Sequence, residues 1–201
     1  MIKQKCTVKE ESVSVKQGKK ALFYLIVQYQ TDKIEAERTI QMGNGNRGNT
    51  MIIKNGLVFT PEGKFEKKDF YIEGEYVAKE TTDNKEVEAE GCYVIPGLVD
   101  IHFHGCVRHD MCDGTEESIQ ALADYEAANG VLAICPATMT IPEEELFQAM
   151  NAAREHKNGK GADLVGINME GPFVNKEKKG AQKEEDIKLA DVELFHKLQE
   201  A

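Results

Sequence analysis

Leu98-Val99-Asp100-Ile101-His102-Phe103-His104-Gly105 is the stretch on which the fold turns. Its apolar start reads as a buried strand. Ile95-Pro96-Gly97 before it is punctuation, because Pro and Gly interrupt regular pairing. In a strand, residues two apart point to the same side. His102 and His104 are therefore expected side by side at the strand's end, with Gly105 letting the chain turn away. Two neutral imidazoles aimed at one point are natural ligands for zinc or a similar divalent ion. The bland alternative is a chance His-x-His on an exposed edge; the apolar lead-in and the following glycine weigh against it.

Downstream, strands and helices alternate. Asp113 or Thr115 can cap a helix, with Glu116 and Glu117 at its positive end, Ile119, Leu122 and Ala123 at core spacing, and Asn129-Gly130 as its stop. Val131-Leu132-Ala133-Ile134-Cys135 is a continuous apolar run, as a buried parallel strand requires. Pro142 and three glutamates open a second helix with Leu146, Met150 and Ala153 on its apolar stripe; Arg154, His156 and Lys157 suit its negative end, and Gly159 stops it. Residues 164–170 read as a third strand and residues 191–201 as a last helix. This order implies a parallel sheet with right-handed crossovers. A whole (β/α)₈ barrel needs about 250 residues. The expected class is therefore α/β: a partial TIM-type barrel, its first three β/α units in residues 96–201 of a 201-residue chain.

Barrel sites lie at the C-terminal ends of the strands. Met169-Glu170-Gly171-Pro172-Phe173 puts Glu170 at such an end. Strands one and three of a sheet are about 10 Å apart, so a glutamate and a histidine can share an ion between them. A solvated or helix-capping glutamate is the plain alternative.

Residues 51–95 read as a small β domain, a sandwich-like layer before the barrel. Asn55-Gly56 between Met51-Ile52-Ile53 and Leu57-Val58-Phe59 is a hairpin signal. Residues 69–72 and Tyr76-Val77 flank a second hairpin at Glu73-Gly74-Glu75, and residues 87–94 add a strand. Residues 1–50 differ in character. They read either as a strand-rich extension or as translated leader, since Arg47-Gly48-Asn49-Thr50 can be encoded AGA GGA AAT ACA just before the ATG of Met51. On the second reading, native protein lacks peptides from this segment at full abundance.

The net charge of −10 argues against nonspecific binding to nucleic acid or an anionic membrane, which both require a basic face. Five cysteines without a CxxC spacing, and no signal peptide, point to free thiols in a reducing cytoplasm.

These motifs resemble the amidohydrolase superfamily and, within it, the N-acetylglucosamine-6-phosphate deacetylases. The residues are Val94-Ile95-Pro96-Gly97-Leu98-Val99-Asp100-Ile101-His102-Phe103-His104-Gly105, Asp113-Gly114-Thr115, Met169-Glu170-Gly171-Pro172-Phe173 and Lys178-Lys179-Gly180-Ala181. The first string is shared across the superfamily, and the last two are more specific to the deacetylases. The resemblance runs from about Met51 onward. It implies hydrolysis of the acetamide of N-acetylglucosamine 6-phosphate to glucosamine 6-phosphate and acetate. It also implies one or two divalent metals, zinc first and iron another, with Glu170 as a ligand and His102 and His104 at positions that hold a second ion in some members. Ala181 and Gln182 fall where the family contacts substrate. A homodimer is implied as well.

Three departures stand out. Gln182 replaces a common histidine, and Arg108 sits where glycine is common. No residue matches the family's later metal histidines or its acid–base aspartate, which are expected beyond residue 201; without them the chain is expected to be inactive and aggregation-prone. His196 reads as surface. Cys106, Cys112 and Cys135 read as buried or lining thiols, residues 183–188 as a solvated helix face, and Lys176, Lys178 and Lys179 as a basic loop or a phosphate attractor. Two other functions stay open. One is a cyclic-amide hydrolase such as a dihydroorotase or hydantoinase, disfavoured because its carboxylated lysine on the fourth strand has Glu170 on the third in its place. The other is a truncated, non-catalytic fragment.

Overall fold

The computed structural model describes residues 51–73, 76–81 and 85–201, together with the backbone of four short strands nearer the N-terminus. These four are β1 (Glu10–Glu11), β2 (Val13–Val15), β3 (Leu22–Gln28) and β4 (Thr39–Ile40). The leader reading of residues 1–50 otherwise falls outside the described residues. The chain divides into two compact units, residues 1–98 with 127–132, and residues 99–126 with 133–201.

The first unit is built on β5 (Met51–Phe59), β6 (Phe65–Glu73), β7 (Tyr76–Ala78), β8 (Glu86–Glu88) and β9 (Cys92–Pro96). The sheet order is β2-β3-β9-β5-β6-β7, with β8 paired to β5. Met51, Ile53, Val58, Phe70, Ile72 and Val94 form its buried core.

Asn55-Gly56 does not turn a hairpin. β5 runs straight through it, and the register against β6 jumps from Ile53↔Phe70 to Gly56↔Lys68. Two residues, Lys54 and Asn55, thus oppose one, Asp69, which is a β-bulge. Asn55 takes a left-handed φ of 62°. The Asp69 carboxylate accepts from Lys54 Nζ at 2.6 Å and from the Asn55 amide at 3.0 Å. Those bonds hold the Asp69 carboxyl below the usual carboxylate range, the Lys54 bond contributing most. The extra residue shifts the buried alternation from Met51 and Ile53 to Gly56 and Val58. A side chain at position 56 would meet Val94 Cγ2 at 2.7 Å, so glycine is required there. The hairpin turn lies instead between Thr60 and Lys64, where the Thr60 amide donates to the Lys64 carbonyl. The β6–β7 hairpin forms as expected, with Glu73 opposite Tyr76. The strand expected over 87–94 is two strands, split by a turn at Gly91, whose φ is 75°.

A separate sheet has the order β10 (Leu98–Asp100), β13 (Val131–Ile134), β14 (Asp163–Leu164), and β13 and β14 are parallel. Between β10 and β13 lie the short antiparallel pair β11 (Gly105–Cys106) and β12 (His109–Asp110) and then α1 (Glu116–Ala128). α2 (Glu143–Glu155) and α3 (Val192–Glu200) complete the elements. Thr115 caps α1 by accepting from the Ser118 amide, whereas Asp113 closes the preceding 3-10 turn by accepting from the Asp110 amide. Leu146 and Met150 of α2 pack with Leu194 and Leu198 of α3.

Several expected boundaries are too generous. β10 ends at Asp100, four residues before His104, and β14 ends at Leu164, six before Glu170. Beyond the ladders, pairing continues as isolated bonds: Cys135 N–H to Asp100 O, Ala137 N–H to Phe103 O, and Asn168 N–H to Pro136 O. α2 ends at Glu155, before Gly159, and His156 is buried with Nδ1 3.0 Å from Glu116 Oε1. Residues 183–188 hold a 3-10 turn, Glu184–Asp186, in place of a helix face. No helix among the described residues is long and apolar enough to cross a membrane.

Candidate metal centre

The bonds that outlast the ladders bring residues 102–104, 137–140 and 168–170 together. His102, His104 and Glu170 each offer a ligand atom, and these atoms lie within 4.8 Å of one another. Among the described residues this is the cluster of histidine, cysteine and acidic side chains able to hold an ion. Glu170 Oε2 is 3.0 Å from His104 Nε2 and 3.4 Å from His102 Nε2. His102 is the most open of the three, its side chain 51% exposed against 33% and 34% for His104 and Glu170.

Backbone and amide contacts set the ring orientations. His104 Nδ1 is 3.2 Å from the Ala137 carbonyl, an acceptor, so Nδ1 carries the proton and Nε2 presents its lone pair. Asn168 Nδ2 donates to the Ile101 carbonyl at 2.9 Å, which fixes its amide, and the same nitrogen stands 3.1 Å from His102 Nδ1. Asn168 lies two residues before Glu170, so its place on the same side is legible in the spacing. The contribution of Ala137 had no sequence signal.

Gln182 is 4% exposed and sits beside the cluster. Its Oε1 accepts from the Thr140 amide at 2.6 Å, and its Nε2 donates to Glu170 Oε1 at 2.9 Å. Ala181 is exposed. Glycine at 171 permits this crowding, because a Cβ there would lie 2.6 Å from the backbone of Met139 and Thr140.

A divalent ion fits these residues. Glu170 Oε2 is a buried carboxylate oxygen without a hydrogen-bond partner. Leaving such an atom unmatched costs about 1–3 kcal/mol, more when it is charged. It stands 3.0 Å from His104 Nε2, and two acceptors at that separation repel unless a metal ion or a ring proton is shared between them. Donors about 2.0–2.2 Å from one zinc stand roughly 3–3.5 Å from each other.

The remaining candidates stay outside the cluster. Burial pushes the Cys112 thiol up to about 11, and its sulfur accepts from the Met139 amide at 3.3 Å. Cys106 is likewise pushed up to about 11, by burial first and then by the Glu126 charge, and burial raises Cys135. None of the three is among the donor atoms that converge with His102, His104 and Glu170. His196 is exposed on α3. Lys176 lies 3.8 Å from Glu184, Lys179 donates to the Gln182 carbonyl, and Lys178 is exposed.

An N-acetylglucosamine-6-phosphate deacetylase from Bacillus subtilis is 34% identical over 155 residues, 74% of this chain and 38% of that protein. The chain is similar in sequence to the N-acetylglucosamine-6-phosphate deacetylases over about three quarters of its length. Another deacetylase of that name, from Lysinibacillus sphaericus, is 26% identical over 157 residues, 75% of this chain and 41% of that protein. The chain spans about two fifths of the length of the curated relatives it matches. The crystal structure of the enzyme of the same name from Pasteurella multocida aligns with a TM-score of 0.66 at 19% identity, over 75% of this chain and 41% of the other. That from Thermotoga maritima aligns at 0.60 and 24%, over 73% and 39%. At these identities the solved structures establish a shared fold. No family model matches the chain.

Proposed function

We propose that this chain carries the metal-binding front of an amide hydrolase that removes the acetyl group of N-acetylglucosamine 6-phosphate, with residues 96–201 forming the first three β/α units of its barrel. The supporting observation is the convergence of His102, His104 and Glu170 on one point, with an orphaned carboxylate oxygen at its centre. Glu170 Oε2 and His104 Nε2 would hold the ion. The Asn168 amide donates toward His102 Nδ1, which leaves that ring's proton on Nε2, so His102 would join them, or serve a second ion, with that proton displaced. A divalent ion held there, zinc on the chemistry of this donor set, would supply Lewis-acid activation for amide hydrolysis.

The chain's own residues do the rest. Ala137 holds His104 by its ring proton, Asn168 orients His102, and Gln182 restrains Glu170. Ala181 and Gln182 lie on the segment that the family resemblance assigns to substrate. The acid–base aspartate and the later histidines of the family pattern have no counterpart here, so turnover, and the dimer the family implies, belong to the complete protein in this proposal. One relative from Escherichia coli is an N-acetylgalactosamine-6-phosphate deacetylase, 27% identical over 150 residues, so the sugar is the least constrained part.

Zinc titration of the chain, and of His104→Ala and Glu170→Ala, tests the site. Tight binding that each change weakens at least about tenfold is expected. Acetate release by the complete protein from N-acetylglucosamine 6-phosphate tests the activity. Hydantoin or dihydroorotate opening without acetate release would refute it.

A further inference from the structure

Glu170 uses its two oxygens unequally. Oε2 is buried without a hydrogen-bond partner and faces both imidazoles, while Oε1 accepts from Gln182. The orientation of the Gln182 amide is not free. The Thr140 backbone N–H can only donate, so the group 2.6 Å from it must be the Gln182 carbonyl oxygen. The –NH₂ end is thereby turned towards Glu170. Gln182 is itself 4% exposed, so water does not compete for either end. The second Nε2 hydrogen has Met139 Sδ at 3.5 Å.

We infer that Gln182 is a positioning residue for the metal centre: it ties up Glu170 Oε1, so that the carboxylate offers the ion Oε2 alone. The inference rests on the reading of His102, His104 and Glu170 as that centre. Without Gln182, Glu170 can rotate and present both oxygens, which changes the number and geometry of donors. Outer partners of this kind are typically worth about 10–100-fold in metal affinity. The role differs from the substrate contact assigned to this position by family resemblance, because the amide is already engaged at both ends by the protein.

The test uses the full chain with Zn²⁺ or Co²⁺ alone as probe. Zn²⁺ affinity is read by competition with a chromophoric chelator, coordination by the visible absorption of bound Co²⁺, and the metal-free fold by circular dichroism. Gln182→Met is expected to weaken Zn²⁺ binding about 10–100-fold and to alter the Co²⁺ spectrum. Gln182→His, which can still donate to Glu170, is expected to stay within a few-fold of wild type. Should Gln182→Met lose its metal-free fold, Gln182→Asn carries the spectral test, since it keeps a neutral amide but is one methylene too short to bond both Thr140 and Glu170. A wild-type Co²⁺ spectrum and wild-type affinity in a folded Gln182→Met, with binding lost in Glu170→Ala, would overturn the positioning role and leave the metal centre standing. Wild-type binding in Glu170→Ala would remove the metal centre itself, and the inference with it.

Discussion

Arg108 shows how one residue carries the cost of a turn. It follows Val107 between β11 and β12, and both take left-handed φ values, 69° and 45°. Two such residues make a tight hairpin turn that Asn-Gly or Gly-Gly adopts without strain. A β-branched valine there is an outlier, and arginine gains nothing in return that the structure shows. The departure at Arg108 from a common glycine is therefore a conformational matter. Arg108→Gly is expected to stabilise the chain by about 0.5–1 kcal/mol. A urea midpoint that rises without a change in slope supports this, and a fall refutes it. Gln182 teaches the opposite lesson. Its replacement of a family histidine was visible in the sequence, but its engagement with Thr140 and Glu170 was not, because those partners lie 42 and 12 residues away.

Elements were legible where their periodicity was strong. The three helices begin within a residue or so of their capping signals, and β13 lies in the apolar run that announced it. Two cases misled. Asn55-Gly56 tolerates left-handed backbone in a bulge as readily as in a turn, and only the pairing partner Asp69 distinguishes them. Gly56→Ala should then cost about 1–3 kcal/mol through the Val94 contact. Equal denaturation midpoints for the variant and wild type would contradict that packing. The apolar run over 164–170 suggested a long strand, yet Val165 is 60% exposed and the ladder stops at Leu164. At α3, Asp191 accepts from the Leu194 amide at 3.0 Å. Asp191→Ala should cost about 1 kcal/mol of stability, read by thermal melting, whereas Glu193→Ala in the same turn should cost clearly less.

At the scale of the molecule, buried acids link stability to pH. Burial raises the Asp163 carboxyl above its ordinary 3.8, partly offset by the nearby His156. Burial, then Asp100, raises Glu126 in the same direction. An acid whose folded value is raised holds its proton more tightly when folded. Its favourable contribution is complete below 3.8 and is lost as pH rises through the folded value. Asp163→Asn should melt close to wild type below that pH and above wild type at neutral pH. A constant difference across the series would exclude the linkage. By itself the sequence determined the alternation of elements, the acidic surface charge, and His102, His104 and Glu170 as the residues to watch, because periodicity, charge and short motifs are local properties. Tertiary structure alone decided that these three side chains meet past the ends of regular strands. It also decided that Ala137, Asn168 and Gln182 orient them, and that Asn55 bulges a strand. Each of those outcomes depends on hydrogen-bond partners distant along the chain, which no local pattern specifies.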